Sequence, residues 1–188
     1  MKIEEIQDVI RVGEITEGTK LYSGKKHVAY DRALTIDYDD SLPKGLVNKY
    51  LSIVYIFVVD GEVFKIGQTG GKGGLKSAIN FYLKAGQDDP GLNRFTINYL
   101  IRESLEQGKC VELYFYYEES EERLVKGLNG KVHKVESLVV PPKDLEHFWL
   151  DDYKSDNGVY PTWNFQEKNE KIRSDIHQKF SEYKGLRA

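Results

Sequence analysis

Asp60-Gly61 stands between two runs rich in β-branched and aromatic residues, Val54-Tyr55-Ile56-Phe57 and Phe64-Lys65-Ile66-Gly67-Gln68-Thr69. An Asp-Gly pair tolerates the two positive-φ positions of a tight hairpin turn, and the flanking runs favour extended backbone, so the chain doubles back here as an antiparallel pair. The turn brings Tyr55 and Lys65 onto neighbouring strands, close enough to serve one site. An ammonium beside a phenol can lower the phenol's pKa toward the range where it takes a proton from water, or it can neutralise a phosphate. The same residues also suit an ordinary hairpin with snorkelling side chains.

Elements of both periods surround this hairpin. Ile3, Ile6, Val9 and Ile10 have helical spacing and predict a short N-terminal helix over 3–11, docked on the body or on a second subunit. Residues 12–48 are turn-rich, with a basic patch from Lys20 through Lys26 to His27 and an acidic trio, Asp37, Asp39 and Asp40, that reads as a solvated loop. After the hairpin, Gly70-Gly71-Lys72-Gly73-Gly74 lacks the GxxxxGK[ST] spacing of a nucleotide-binding loop and reads as a flexible entry to a helix starting near Leu75 and stopping at Gly86. Leu75, Ala78, Ile79, Tyr82 and Leu83 share one face of that helix, and Lys76, Asn80 and Lys84 the other.

A second helix is predicted over 94–107, a strand over 110–117, and a charged hairpin or base-reading insert over 118–140, where Lys126, Lys131, His133 and Lys134 alternate with apolar residues. Pro141-Pro142 then precedes a helix carrying Glu146 with Asp144 as its cap, and a charged C-terminal helix spans 167–184. The predicted class is α+β, a small antiparallel sheet flanked by helices, with 1–188 as a single domain.

Composition narrows the function. The 188 residues are 40% hydrophobic and 30% charged, as in soluble globular proteins, with no apolar run near the ~20 residues that span a bilayer. Met1-Lys2-Ile3-Glu4-Glu5-Ile6 carries no apolar signal core, which makes the cytoplasm the simplest location. A net charge of −3 argues against a protein that merely coats nucleic acid, while leaving room for local basic surfaces. With Cys110 alone there is no internal disulfide and no cysteine-rich zinc site, and His27, His133, His147 and His177 are dispersed. His147 follows Glu146 directly, so a helix turns it about 100° away from that carboxylate.

Val54-Tyr55, Lys65-Ile66-Gly67, the glycine-containing loop and helix, the helical Glu146, and Pro161-Thr162-Trp163-Asn164 follow one another over residues 50–166. In this order they resemble the GIY-YIG nuclease superfamily, most closely type II restriction endonucleases with a KIG second motif. The resemblance implies phosphodiester hydrolysis to 5′-phosphate and 3′-hydroxyl ends. It makes Tyr55 the general base on water, with Lys65 supporting its phenolate character. Glu146 is matched to the carboxylate that anchors one divalent ion, Mg2+ or Mn2+, and Asn164 to the residue that fixes a loop or a water near it. The family's arginine falls about where Lys76 stands, and a lysine lacks the bidentate fork that suits phosphate, so this contribution is weaker or shared with Lys84 or Arg94.

The leading expectation is therefore a site-specific endonuclease acting on double-stranded DNA as a homodimer, in a system that can include a cognate methyltransferase. The catalytic core spans 50–166, with 1–49 and 118–140 as recognition or oligomerisation elaborations. Segments 20–36 and 118–140 carry the side chains that can reach base edges. The alternatives are a repair or mobile-element nuclease with loose specificity, and a catalytically degenerate DNA-binding module.

Overall fold

Residues 52–59 are buried along their whole length, and the fold is organised around them. A computed structural model describes residues 1–21, 30, 32–85, 90–128 and 130–185. Its elements are β1 (Ile10–Leu21), β2 (Arg32–Tyr38), β3 (Ser52–Val59), β4 (Glu62–Thr69), α1 (Gly74–Leu83), α2 (Leu92–Glu106), β5 (Val111–Glu118), β6 (Ser120–Lys126), β7 (Val132–Leu138), α3 (Pro142–Asn157), α4 (Phe165–Lys168) and α5 (Ser174–Gly185). Five strands form an antiparallel sheet in the order β2-β1-β5-β3-β4, and β6 and β7 form a separate two-stranded ribbon. Helices flank the sheet, which is the α+β class that the sequence predicts.

The alternation of β3 divides the core in two. Ile53, Tyr55, Phe57 and Val59 pack with Leu75 and Ile79 of α1 and Phe95 and Ile101 of α2, while Val54, Ile56 and Val58 pack with Leu145, Leu150 and Tyr153 of α3. A strand apolar on both faces must be covered on both, and each large side chain so buried contributes about 1.5–3 kcal/mol. The β3–β4 turn is the predicted one, with Asp60 at φ 50° and Gly61 at φ 82°.

The edge strand β4 is covered rather than left open to pair with another chain. The Ile3 amide donates to the Gly61 carbonyl (2.8 Å), the Val63 amide to the Met1 carbonyl (3.1 Å) and the Trp163 amide to the Phe64 carbonyl (2.7 Å).

Several local expectations give way to tertiary pairing. The predicted helix over 3–11 is only a 3-10 turn at Ile3–Glu5, because from Ile10 the backbone pairs with β5 and, from Gly13, with β2. The stretch read as irregular thus contributes two strands. Asp39 accepts from the Ser41 hydroxyl and amide and from Arg11 at 2.8 Å, and these bonds, those of Ser41 foremost, hold its carboxyl down at about 2. Asp144 lies in the first turn of α3 without capping it. The predicted helix over 167–184 is two helices, broken after Asn169, which takes a left-handed φ of 50°. Gly86, Lys26 and His27 lie outside the described residues. Among the described residues no helix is long and apolar enough to cross a membrane.

Candidate active site

Tyr55 pairs directly with Gly67 across the hairpin, and the phenol lies over that glycine: a Cβ on residue 67 would stand 2.5 Å from both Cζ and the hydroxyl oxygen of Tyr55. Only a residue without a side chain leaves this space. The Tyr55 ring is 4% exposed and meets Phe57 and Tyr82 edge-on, with centroids at 5.9 and 6.0 Å. Its hydroxyl lies 2.8 Å from that of Tyr82 on α1, and either can be the donor.

Burial pushes the Tyr55 phenol well above the usual tyrosine range, and the Tyr82 hydroxyl is raised for the same reason. The expected lowering of Tyr55 by Lys65 is not what the geometry gives. The cation that opposes the rise at both phenols is Arg94, in the first turn of α2.

Lys65 pairs with Phe57, one alternation from the Tyr55–Gly67 pair, and so shares the sheet face of Tyr55. Burial pushes its ammonium down, against the carboxylates of Glu167 and Glu146, which favour the charged form. Glu146, in the second turn of α3, is raised by burial, opposed first by Lys65, with the like charge of Glu167 adding to the rise. Lys65, Tyr82, Arg94, Trp163 and Glu167 line a cleft of about 190 Å3. An adjoining cleft of about 310 Å3 shares Tyr82 and Arg94 and adds Tyr55, Thr69, Gly70 and Gly71. Arg94 stacks its guanidinium 4.3 Å from the centroid of Phe81. Together the two clefts are lined by two phenols, an ammonium, a guanidinium and the Glu167 carboxylate, while Glu146 lines neither and bears on Lys65 and Tyr82 through its charge.

Asn164 does not face this groove. It is 1% exposed and clamps the β4 backbone beside Lys65, its Oδ1 accepting from the Ile66 amide at 2.9 Å and its Nδ2 donating to the Ile66 carbonyl at 2.8 Å. Its place is structural, holding the strand that presents Lys65 and Gly67.

Lys76 is not brought to the others. It lines a separate cavity of about 490 Å3 with Thr19, Thr35, Tyr38, Asn80 and Lys84. The reason is helical phase: Ser77, Ala78, Phe81 and Tyr82 line the Tyr55 cleft, and Lys76 projects from another side of α1. Arg94, named from the sequence as a possible sharer of that charge, lines both clefts. Glu167 was not singled out at all; its signal was its position three residues after Asn164.

A hard divalent ion suits the donor set. Glu146 is a half-buried carboxylate whose charge is raised in energy by burial and by Glu167, which a cation would relieve. Among the described residues no group of three His, Cys, Asp or Glu side chains is placed to hold a metal. A divalent ion bound at Glu146 would take most of its ligands from water and phosphate oxygens.

The fold is similar to that of bacteriophage T4 EndoII. Superposition on an alanine-substituted variant of that protein gives a TM-score of 0.50 at 21% identity, covering 87% of this chain and 98% of the other. The restriction endonuclease HPY188I in complex with product DNA gives a TM-score of 0.48 at 18% identity, covering 86% of this chain and 84% of that one. No known protein family and no curated protein matches the sequence. At this identity the likeness to EndoII is one of fold.

Proposed function

We propose that this chain is a DNA endonuclease that hydrolyses phosphodiesters in the groove between Tyr55, Lys65, Arg94 and Glu146, and that it is of the site-specific restriction type. The observation that carries the reading is the convergence of a hydrogen-bonded phenol pair, two cations and the Glu167 carboxylate along two adjoining clefts, with Glu146 near enough for its charge to act on Lys65 and Tyr82. A water oxygen attacks phosphorus, the bond to the 3′ oxygen breaks, and the departing alkoxide takes a proton from solvent, leaving 5′-phosphate and 3′-hydroxyl ends. The Tyr55–Tyr82 pair takes the water's proton, with Tyr55 as the residue that resembles the family's base. Once one phenol is ionised, the other can hold the anion by donating across the 2.8 Å contact, so the pair titrates as a unit.

Arg94 offers a planar fork to the phosphate oxygens, and Lys65 adds positive charge as the transition state gains negative charge. Glu146, with Glu167 nearby, would hold Mg2+ or Mn2+, which when bound supplies charge neutralisation at the phosphate and the leaving oxygen. Cutting both strands of a palindromic site fits a homodimer, and a methyltransferase of matching specificity would protect the host's own sites.

The test is incubation with long duplex DNA and magnesium, alongside EDTA and Glu146→Ala controls. Discrete fragments that disappear in both controls support the site-specific metallonuclease; a smear supports a nuclease of loose specificity. DNA bound tightly but left intact would make the chain a degenerate binding module.

A further inference from the structure

The β6–β7 ribbon forms no part of the main sheet, and its middle and distal residues are exposed on both faces. A lone two-stranded hairpin is only marginally stable in water, and this one displays Leu124, Val125, Leu128 and Val132 to solvent. Its charge is sharply divided along its length. Residues 123–135 contain Arg123, Lys126, Lys131 and Lys134 and no carboxylate, whereas Glu118, Glu119, Glu121, Glu122 and Glu136 gather at the root. Register puts Leu124, Lys126, Val132 and Lys134 on one face of the distal half and Arg123, Val125, His133 and Val135 on the other, so basic and apolar side chains mix on both faces.

The root is fixed to the wall of the groove. A Cβ on Gly70 would stand 2.7 Å from Cδ1 of Leu138, at the end of β7, and the Ser52 hydroxyl donates to the Val140 carbonyl at 2.5 Å. Gly70 itself lines the cleft of Tyr55 and Arg94.

We infer that the distal β6–β7 ribbon is a duplex-DNA docking arm that lies in a groove of the same duplex whose backbone enters the Tyr55–Arg94 cleft. Each strand has seven residues, which at about 3.4 Å apiece extends about 24 Å, and the major groove of B-DNA, about 12 Å wide, admits a two-stranded ribbon. The cations meet phosphates along the groove walls, and Leu124, Leu128 and Val132 cover apolar surface such as thymine methyl groups. A duplex is favoured over a second copy of the chain because the arm is rooted at the cleft where the proposed substrate lies, and because its distal half holds Arg123, Lys126, Lys131 and Lys134 and no carboxylate, Arg123 and Lys134 reaching back to Glu121 and Glu122 at the root.

The inference rests on the nuclease reading, and the experiment separates the two. Fluorescence anisotropy with a labelled mixed-sequence duplex in EDTA measures binding without cleavage, across a salt series. Wild type is expected to bind, with an affinity that falls as salt rises. The triple variant Lys126→Gln, Lys131→Gln, Lys134→Gln is expected to bind at least about tenfold more weakly and to lose about 3 from the slope of log affinity against log salt. These positions are exposed and their substitution should leave the fold intact, which circular dichroism checks. Leu128→Ser, which leaves the charge untouched, should weaken binding with little change in slope.

Wild-type binding that neither substitution alters would overturn the docking arm and leave the nuclease reading standing. A wild type that fails to bind duplex even at low salt overturns both. If Leu124→Ser/Leu128→Ser instead converts a dimer to monomers in sedimentation while DNA affinity is unchanged, the ribbon is a subunit contact and the inference fails.

Discussion

Adding one methyl group at Gly67 should slow cleavage about 100-fold while leaving the protein folded. Its Cβ would lie 2.5 Å from Cζ and the hydroxyl oxygen of Tyr55 and 2.6 Å from Cε2. Non-bonded carbons rest at about 3.5–4.0 Å, so the ring must withdraw by about 1 Å or more. It cannot do so quietly, because Phe57 and Tyr82 stand against it edge-on and against each other at 5.8 Å. The Tyr55–Tyr82 hydroxyl contact, now 2.8 Å, would stretch past hydrogen-bonding range. Overpacking of this kind costs about 1–3 kcal/mol, and at about 2–4 °C per kcal/mol for a chain of this size the melting temperature should fall by about 2–12 °C. A displacement of about 1 Å at a catalytic group costs about 100-fold in rate. Gly71→Ala is the internal control: it lines the same cleft, yet its Cβ would meet only Thr69 Oγ1, at 3.8 Å. Plasmid cleavage timed for both variants, beside thermal unfolding, reads the two effects separately. Gly67→Ala cleaving within about threefold of wild type would refute the reasoning, since it would mean that the phenol's position is not needed for the reaction.

Three further outcomes test the assignment of roles. Arg94→Ala should lower kcat by about 100- to 1,000-fold, with Lys76→Ala within about threefold of wild type; the reverse ranking in single-turnover cleavage would return the phosphate contact to Lys76. Asn164→Ala strands the amide and carbonyl of buried Ile66 and should cost about 2–5 kcal/mol in urea unfolding, a loss below about 1 kcal/mol being incompatible with the clamp. Because burial raises both phenols and the base form is the deprotonated one, log kcat should still be climbing with pH at the ordinary tyrosine value of 10.0, and a plateau reached in the neutral range would place the base elsewhere.

Legibility in the sequence followed how local each cause was. The β3–β4 hairpin was readable because Asp60-Gly61 specifies its own turn, and α1 and α2 because their apolar residues keep one period over several turns. The start of β1 was misread because Ile3, Ile6, Val9 and Ile10 satisfy helical spacing, while what makes Ile10 a strand residue is pairing with Phe115, more than a hundred positions away. The break after Asn169 was invisible for a different reason: a charged stretch in helical phase carries no mark of where it stops. At the site, Tyr55 and Lys65 share a face because the hairpin's register is local. Glu146, Arg94 and Glu167 lie on three separate helices whose meeting no spacing encodes, and Lys76 was favoured only by its distance along the chain from Gly67.

That meeting depends on β4 being an edge strand. α1 and α2 cover one face of the sheet and α3 the other, so in the middle of the sheet a residue from α3 could not share a pocket with one from α2. Beyond the last strand the two layers are no longer separated. There the start of α3, reached from the end of β7, and the Trp163–Asn164 segment both come against β4, and the charges of Glu146 and Glu167 are felt at Lys65 and at Tyr82. The hydrogen bonds of Asn164 to Ile66 therefore do more than cover an edge: they tether α4, and with it Glu167, to the strand that carries Lys65. Loosening that tether should move Glu167 relative to Lys65 before it disturbs Tyr55, which is held from the opposite side by β5 and α1.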